Sequence, residues 1–291
     1  MAHNNCFKSS CMVLIAAALA GCAGAQDKPS DSPRPEAEPA TRKQQVVALL
    51  DSIQSGAQGP ASVVNPDKFI QHNLSEADGL AGFGEVLAQL PKGSARVHNV
   101  RVFEDGDFVF THTDYDFFGP KIGFDVFRFE DQKIVEHWDN LQETPAAPNP
   151  SGRTMIDGPT EVTDLGDTKR NKAFVAAFLD DVIIHGKAEK LATYLQKDFL
   201  QHNPLEADGI SGLGAFLAAQ AEAGTPLKFD RVHHVYGEGN FVVSVSEGNF
   251  AGKPSAFYDL FRIDNGKIAE HWDTIQTIPP RDEWKNQNGK F

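Results

Sequence analysis

Three cysteines in 291 residues, Cys6, Cys11 and Cys22, are too few for a disulfide framework, and their spacing is not that of a metal site. Positive charge is also scarce: 27 Lys and Arg stand against 40 Asp and Glu, a net charge of −13. A nucleic-acid ligand needs a clustered basic surface, and adsorption to anionic lipid needs the same sign, so both are excluded as charge-driven partners. There is no G-x-S-x-G elbow and no P-loop. The glycine-rich stretches Gly79–Gly84 and Gly209–Gly214 do not follow a strand of a parallel unit, so neither reads as a dinucleotide fingerprint. What remains, 41% hydrophobic and 23% charged, is the composition of an ordinary globular chain of one to three domains.

A short apolar run, Cys11–Ala20, follows the single lysine Lys8. It is too short for a permanent membrane helix and suits the h-region of a signal peptide. It ends in Leu19-Ala20-Gly21-Cys22, which resembles a bacterial lipobox. That resemblance implies loss of residues 1–21, acylation of Cys22 and a lipid anchor. The product would be a periplasm-facing lipoprotein of the cell envelope, and Ala23 after the cysteine favours the outer membrane. Residues 22–40 hold Pro29, Pro33, Pro35 and Pro39 among Asp, Glu, Ser and Ala. Such a segment buries too little apolar surface to order itself and serves as a disordered, Pro-rich tether.

The rest of the chain is written twice. Phe69-Ile-Gln-His-Asn73 returns as Phe199-Leu-Gln-His-Asn203, and Glu76-Ala-Asp-Gly79 as Glu206-Ala-Asp-Gly209. Phe124-Asp-Val-Phe-Arg128 returns as Tyr258-Asp-Leu-Phe-Arg262 with its aspartate, and Glu136-His-Trp-Asp139 as Glu270-His-Trp-Asp273. A spacing of about 130 residues is far beyond a solenoid repeat and predicts two tandem domains, 41–145 and 167–280, with a linker over 146–166 and a tail over 281–291. In each, helical spacing predicts a first helix, a second short helix ending near Phe69 or Phe199, and a third after the Asp-Gly. Four strands follow, with a hairpin at Asn265-Gly266. Helices followed by an antiparallel meander give an α+β class.

The strings FIQHN…EADG…FDVFRFEDQKIVEHWDNLQ and FLQHN…EADG…YDLFRIDNGKIAEHWDTIQ resemble the SnoaL-like branch of the nuclear-transport-factor-two-like superfamily. The resemblance implies two tandem cone-shaped α+β barrels, each with three N-terminal helices packed on a curved antiparallel sheet around an apolar pocket. It implies cofactor-independent acid–base chemistry of the aldol (cyclase), isomerase or dehydratase type on a small carbonyl-bearing molecule. Many relatives have no known activity, so a non-catalytic module that binds a small apolar ligand or a protein is the alternative. Domains of this fold often pair through their open sheet faces, which allows an intrachain pseudo-dimer or a homo-oligomer.

Strand residues alternate faces. A two-residue turn at Asn265-Gly266 sets Ile263 opposite Ile268, Phe261 opposite Glu270 and Asp259 opposite Trp272. The same reading sets Phe127 opposite Glu136 and Asp125 opposite Trp138. One face of each hairpin then carries an acid, aromatics and an indole. A carboxyl group against Trp and Phe is partly desolvated, which favours proton exchange near neutral pH. Asp125 and Asp259 are therefore the first candidates for proton transfer, and the resemblance supports them as acid/base. His72 and His202 would assist from the pocket mouth, and Phe127, Phe261, Glu136, Glu270, Trp138 and Trp272 would bind substrate and exclude water. His137, Asp139, His271 and Asp273 fall on the outer face in this register. His112 is a further candidate, although Val245 replaces it in the second copy. Asn73 and Asn203 read as turn residues, and Asp78 and Asp208 as helix caps. His233-His234 has no acid at ligand spacing, so no metal is expected there, and the resemblance implies no cofactor.

Overall fold

The computed structural model describes residues 39–91 and 93–291. The signal segment, Cys22 and nearly all of the tether lie outside the described residues. Ala40–Phe291 form one compact unit made of two similar halves.

The first half begins with α1 (Arg42–Ser55). Its start is a capping box: the Thr41 hydroxyl accepts the Gln44 N–H, and the Gln44 side chain accepts the Thr41 N–H. A 3₁₀ turn, the short strand β1 (Ile70–Gln71) and α2 (Gly79–Gln89) follow. Then come β2 (Arg96–Asp105), β3 (Phe108–Asp116), β4 (Pro120–Glu130) and β5 (Lys133–Glu143). The second half repeats the order with α3 (Thr168–Phe178), α4 (Leu191–Tyr194), β6 (Leu195–Gln201), α5 (Gly209–Glu222), β7 (Lys228–Glu238), β8 (Phe241–Phe250), β9 (Lys253–Asp264) and β10 (Lys267–Thr277). The α+β class read from the sequence is thus present, with two five-stranded sheets ordered β1-β5-β4-β3-β2 and β6-β10-β9-β8-β7.

Two features differ from the sequence reading. The segments ending at Phe69 and Phe199 do not close a second helix: β1 and β6 pair parallel with β5 and β10, so each sheet is mixed. The hairpin register also slips. Ile263 pairs with Ile268 as expected, but one extra residue, Ala269, bulges before Glu270, which pairs with Arg262. From there Phe261 faces His271 and Asp259 faces Asp273. Val135 does the same in the first half, so Phe127 faces His137 and Asp125 faces Asp139. A one-residue slip exchanges the two faces of the strand beyond it.

Each sheet therefore has one face toward its own helices and one toward the other sheet. Val46, Leu49 and Leu50 of α1 pack on Val109, Phe127 and Phe129, and Val175, Phe178 and Leu179 of the second half pack on Val242 and Phe261. Between the sheets lies a third core that joins Phe103, Phe110, Phe124 and Trp138 to Tyr236, Phe241, Tyr258 and Trp272. The Asn140 amide crosses it to donate to the Thr274 carbonyl at 2.7 Å. Arg101 is buried there, with its guanidinium 4.3 Å from the Trp272 ring and donating to the carbonyls of Asp157 and Pro159. Burial lowers its pKa to about 10, so it stays charged.

The segments read as linker and tail are straps. Asn149 donates to the Gln201 carbonyl, and Arg153 clamps Asp208 at 2.9–3.0 Å. At the other end of the chain, Asn286 and Asn288 donate to the carbonyls of Asn73 and Gln71.

Candidate functional site

A cavity of about 400 Å³ opens between α1, α2 and the sheet of the first half. Its walls are apolar, including Leu50, Ile53, Phe83, Leu87 and Phe117, while its floor carries Gln71, Asn73, Glu76, Asp125, His137 and Asp139. The second half has the same floor in Gln201, Asn203, Glu206, Asp259, His271 and Asp273, but a cavity of only about 70 Å³. Aromatic side chains account for the difference. With Val46 aligned to Val175, Phe178 replaces Leu49; with Gly82 aligned to Gly212, Phe216 replaces Val86; and Phe257 stands where the first half has Gly123. Gly123 is required where it is, since a Cβ there would lie 2.8 Å from the Tyr115 ring.

The floor is held from β1, β4 and β5. The Gln71 carbonyl accepts the Asn73 backbone N–H at 2.9 Å, and its amide donates to Glu76 at 2.8 Å, which fixes the orientation of the side chain. The same carbonyl meets His137 Nδ1 at 3.0 Å, so Nδ1 must be a donor. His137 Nε2 then faces Asp125 Oδ1 at 3.2 Å. Two like lone pairs would repel there, so Nε2 also carries a proton. Burial alone would lower the His137 pKa, but the hydrogen bond to Asp125 and the charges of Asp139, Asp125 and Glu76 raise it overall. Tyr115 donates its hydroxyl to Asp125 Oδ2 at 2.8 Å, and burial with that carboxylate pushes the phenol well above its usual range.

Glu76 sits beside this pair. Burial, then the charge of Asp139, raises its pKa from the ordinary 4.5 to about 7. The Asn73 amide holds Asp139 Oδ2 at 2.6 Å, and Lys290 Nζ donates to the Asp139 carbonyl at 2.7 Å. The second half copies these links: His271 Nδ1 meets Gln201 Oε1 at 2.9 Å, His271 Nε2 meets Asp259 at 3.2 Å, and Asn203 holds Asp273 at 2.7 Å. Burial lifts Glu206 to about 7 and Asp273 to about 6.

Asp125, Asp259, Phe127 and Phe261 line the cavities. His137, Asp139, His271 and Asp273 line them too, because the bulge turned them inward. The same slip turns Trp138, Trp272, Glu136 and Glu270 away from the cavities, correcting their assignment to substrate binding. His72 and His202 follow them: His72 stacks on Trp138 at 4.6 Å and meets Glu136 at 3.0 Å, and His202 does likewise with Trp272 and Glu270. Arg128 and Arg262 complete these pairs through Glu136 and Glu270. His112 lies between the sheets, stacked on Phe124, and accepts a bond from Arg101 at its Nδ1. Burial and that guanidinium keep it neutral. None of Trp138, Trp272, Glu136, Glu270, His72, His202 and His112 lines either cavity. Asp78 and Asp208 stand at helix starts but accept the Gln71 and Gln201 backbone N–H rather than capping.

Glu76, Glu206, Gln71 and Gln201 were not singled out from the sequence. Their recurrence at one offset, inside the repeated strings, is the signal that would have found them.

Residues 175–271 match the family model of the SnoaL-like domain. No curated protein matches the chain. Among solved structures, a protein of unknown function from Burkholderia xenovorans LB400, described as NTF-2 like, is similar at 18% identity, covering 43% of this chain and 100% of that one, with a TM-score of 0.34. A SnoaL-like polyketide cyclase from Agrobacterium tumefaciens str. C58 is 13% identical over 36% of this chain and 91% of its own, with a TM-score of 0.30. A candidate ketosteroid isomerase from Kribbella flavida DSM 17836 is 14% identical over 39% and 84%, with a TM-score of 0.33.

Proposed function

We propose that the first SnoaL-like half is an acid–base catalyst of proton transfer at carbon in a small carbonyl-bearing organic molecule, in a reaction of the isomerase, dehydratase or aldol type. One observation carries this reading: an apolar cavity of about 400 Å³ whose floor holds a proton-bridged Asp125–His137 pair beside a carboxyl group with a pKa of about 7. Glu76 is close to half-protonated at neutral pH, which is where a general acid or base works best. The His137 imidazolium places positive charge on the floor, where an enolate oxygen would develop, and Asp125 and Gln71 hold its ring. Apolar walls keep water from competing for the carbonyl. Asp125, first in line from the sequence, becomes the partner that holds the imidazolium.

The second half would keep the polar floor without the room for a substrate, since Phe178, Phe216 and Phe257 fill it. The lipobox-like Leu19–Cys22 supports an envelope location, with the tether spacing the unit from the membrane. Loss of labelled palmitate incorporation in Cys22→Ser tests that part separately.

The chemistry is tested by NMR-detected exchange of α-protons in D₂O over a panel of cyclic ketones and β-diketones. The wild-type protein should speed exchange for part of the panel. Asp125→Asn and Glu76→Gln should each slow it about 100-fold, while Asp259→Asn changes it less than about twofold. Equal rates in wild type and Asp125→Asn, or no acceleration of any panel member, would defeat the reading.

A further inference from the structure

The two floors share Gln, Asn, Glu, Asp, His and Asp at equivalent positions, but Gly248 stands where Tyr115 bonds Asp125 in the first half, and their counter-charge differs. In the first half, Lys290 brings a buried ammonium to Asp139. The strap of the second half has no such group. Gly289 offers its carbonyl to His72 Nδ1, and Thr154 offers its own to His202 Nδ1, so Lys290 and Met155 are the next residues on equivalent straps. Met155 is buried and uncharged. Among the described residues, no ammonium or guanidinium bonds to Asp259, Asp273 or Glu206. Asp273 is 5% exposed, and its Oδ1 has no hydrogen-bond partner at all. A buried carboxylate oxygen without a donor is costly and calls for a cation.

We infer that Asp259, His271 and Asp273 form a divalent transition-metal site, with the ion in the second half taking the place that the Lys290 ammonium holds in the first. The donor atoms of these three residues lie within 4.8 Å of one another. His271 Nε2 and Asp259 Oδ1 are 3.2 Å apart. A cation about 2.0–2.1 Å from both at a tetrahedral angle would separate them by roughly 3.3 Å. His271 Nδ1 is fixed as a donor to the Gln201 carbonyl, so the ion takes Nε2 and the proton shared there with Asp259 is released to solvent; a ligating imidazole usually donates its other N–H to such an outer partner. Asn203 orients Asp273 in the same way. One imidazole with two carboxylates suits Zn²⁺, Co²⁺ or Mn²⁺ rather than a soft ion. A cavity of about 70 Å³ has room for the ion and a bound water or two. This inference does not depend on the acid–base reading of the first half.

The test uses the full chain, stripped with chelator and titrated with Zn²⁺ by calorimetry and with Co²⁺ by visible absorption. One equivalent should bind, with the d–d bands of a low-coordinate Co²⁺ site. Asp273→Asn, which is isosteric and removes a buried charge, should weaken binding by about tenfold or more. Lys290→Met should raise the stoichiometry from one to two by freeing the first floor. No binding to wild type, or one equivalent held equally tightly by Asp273→Asn, would overturn the inference. So would a stoichiometry still at one in a folded Lys290→Met protein. Should Asp273→Asn fail to fold, His271→Gln titrated with Co²⁺ decides the same point: retained bands would overturn the site.

Discussion

Glu76 shows how one residue can tie the site to the stability of the whole protein. Its folded pKa of about 7 lies above its ordinary 4.5. Between those values the folded state keeps a proton that the unfolded chain releases. The stabilisation is full below about pH 4.5 and is lost as pH rises through 7, at most about 3 kcal/mol for a shift of this size. His137 and His271, also raised, act in the same direction: their contribution is present below the ordinary histidine pKa and is lost as pH climbs through the folded value. Glu136 and Glu270 are lowered, because their hydrogen bonds to His72 and Arg128, or to His202 and Arg262, outweigh burial. They lose their stabilising effect only on acidification. Glu76→Gln should therefore match wild type in urea unfolding at pH 4 and exceed it at pH 8. A variant less stable than wild type at pH 8 would show that the carboxylate is stabilised rather than strained there.

At the scale of elements, the two bulges decide the site. Val135 and Ala269 each shift β5 and β10 by one residue, which brings His137 and His271 inward and sends Trp138 and Trp272 to the inter-sheet core. Deleting Val135 restores an unbroken ladder at the cost of turning Trp138 into the cavity and His137 out of it. The expected result is loss of ketone proton exchange together with a destabilisation above about 3 kcal/mol, read by urea unfolding. A stable, active deletion variant would mean the register is set elsewhere. The strand runs, the helix after Asp-Gly and the hairpin at Asn265-Gly266 were legible because alternation and turn chemistry are local. The turn itself was right, with Asn265 and Gly266 at φ 50 and 72. The bulge was not legible, because Val135 and Ala269 are ordinary strand residues and only the burial of their neighbours selects the kink. Asp125 and Asp259, on the strands without the extra residue, were placed on the cavity face, while His137 and Asp139, beyond the bulge, were placed on the wrong one. The parallel strand β1 was missed because two residues carry no periodicity.

At the scale of the molecule, the duplication made two sheets into one body. The inter-sheet core draws side chains from both halves, and Arg101 of the first lies on Trp272 of the second. One unfolding transition is expected, seen alike by tryptophan fluorescence and far-ultraviolet circular dichroism. Trp272→Ala should lower its midpoint, with a loss of about 3–5 kcal/mol. Two separated transitions would show that the halves fold independently. The contrast between cavities of about 400 and about 70 Å³ belongs to this scale too. The first half has the open hollow, and the second fills its own with Phe178, Phe216 and Phe257.

The straps have a consequence for how the chain can be shortened. Lys285 donates to the Leu74 carbonyl, and Asn286 and Asn288 fasten the neighbouring backbone, more than two hundred positions back along the sequence. A protease nick or premature stop near residue 284 would spare every strand and still unlatch the earlier copy, stripping Asp139 of the Lys290 ammonium. The final seven residues thus behave as a missing piece of the opening half, and an excised first copy would need them supplied as a separate peptide.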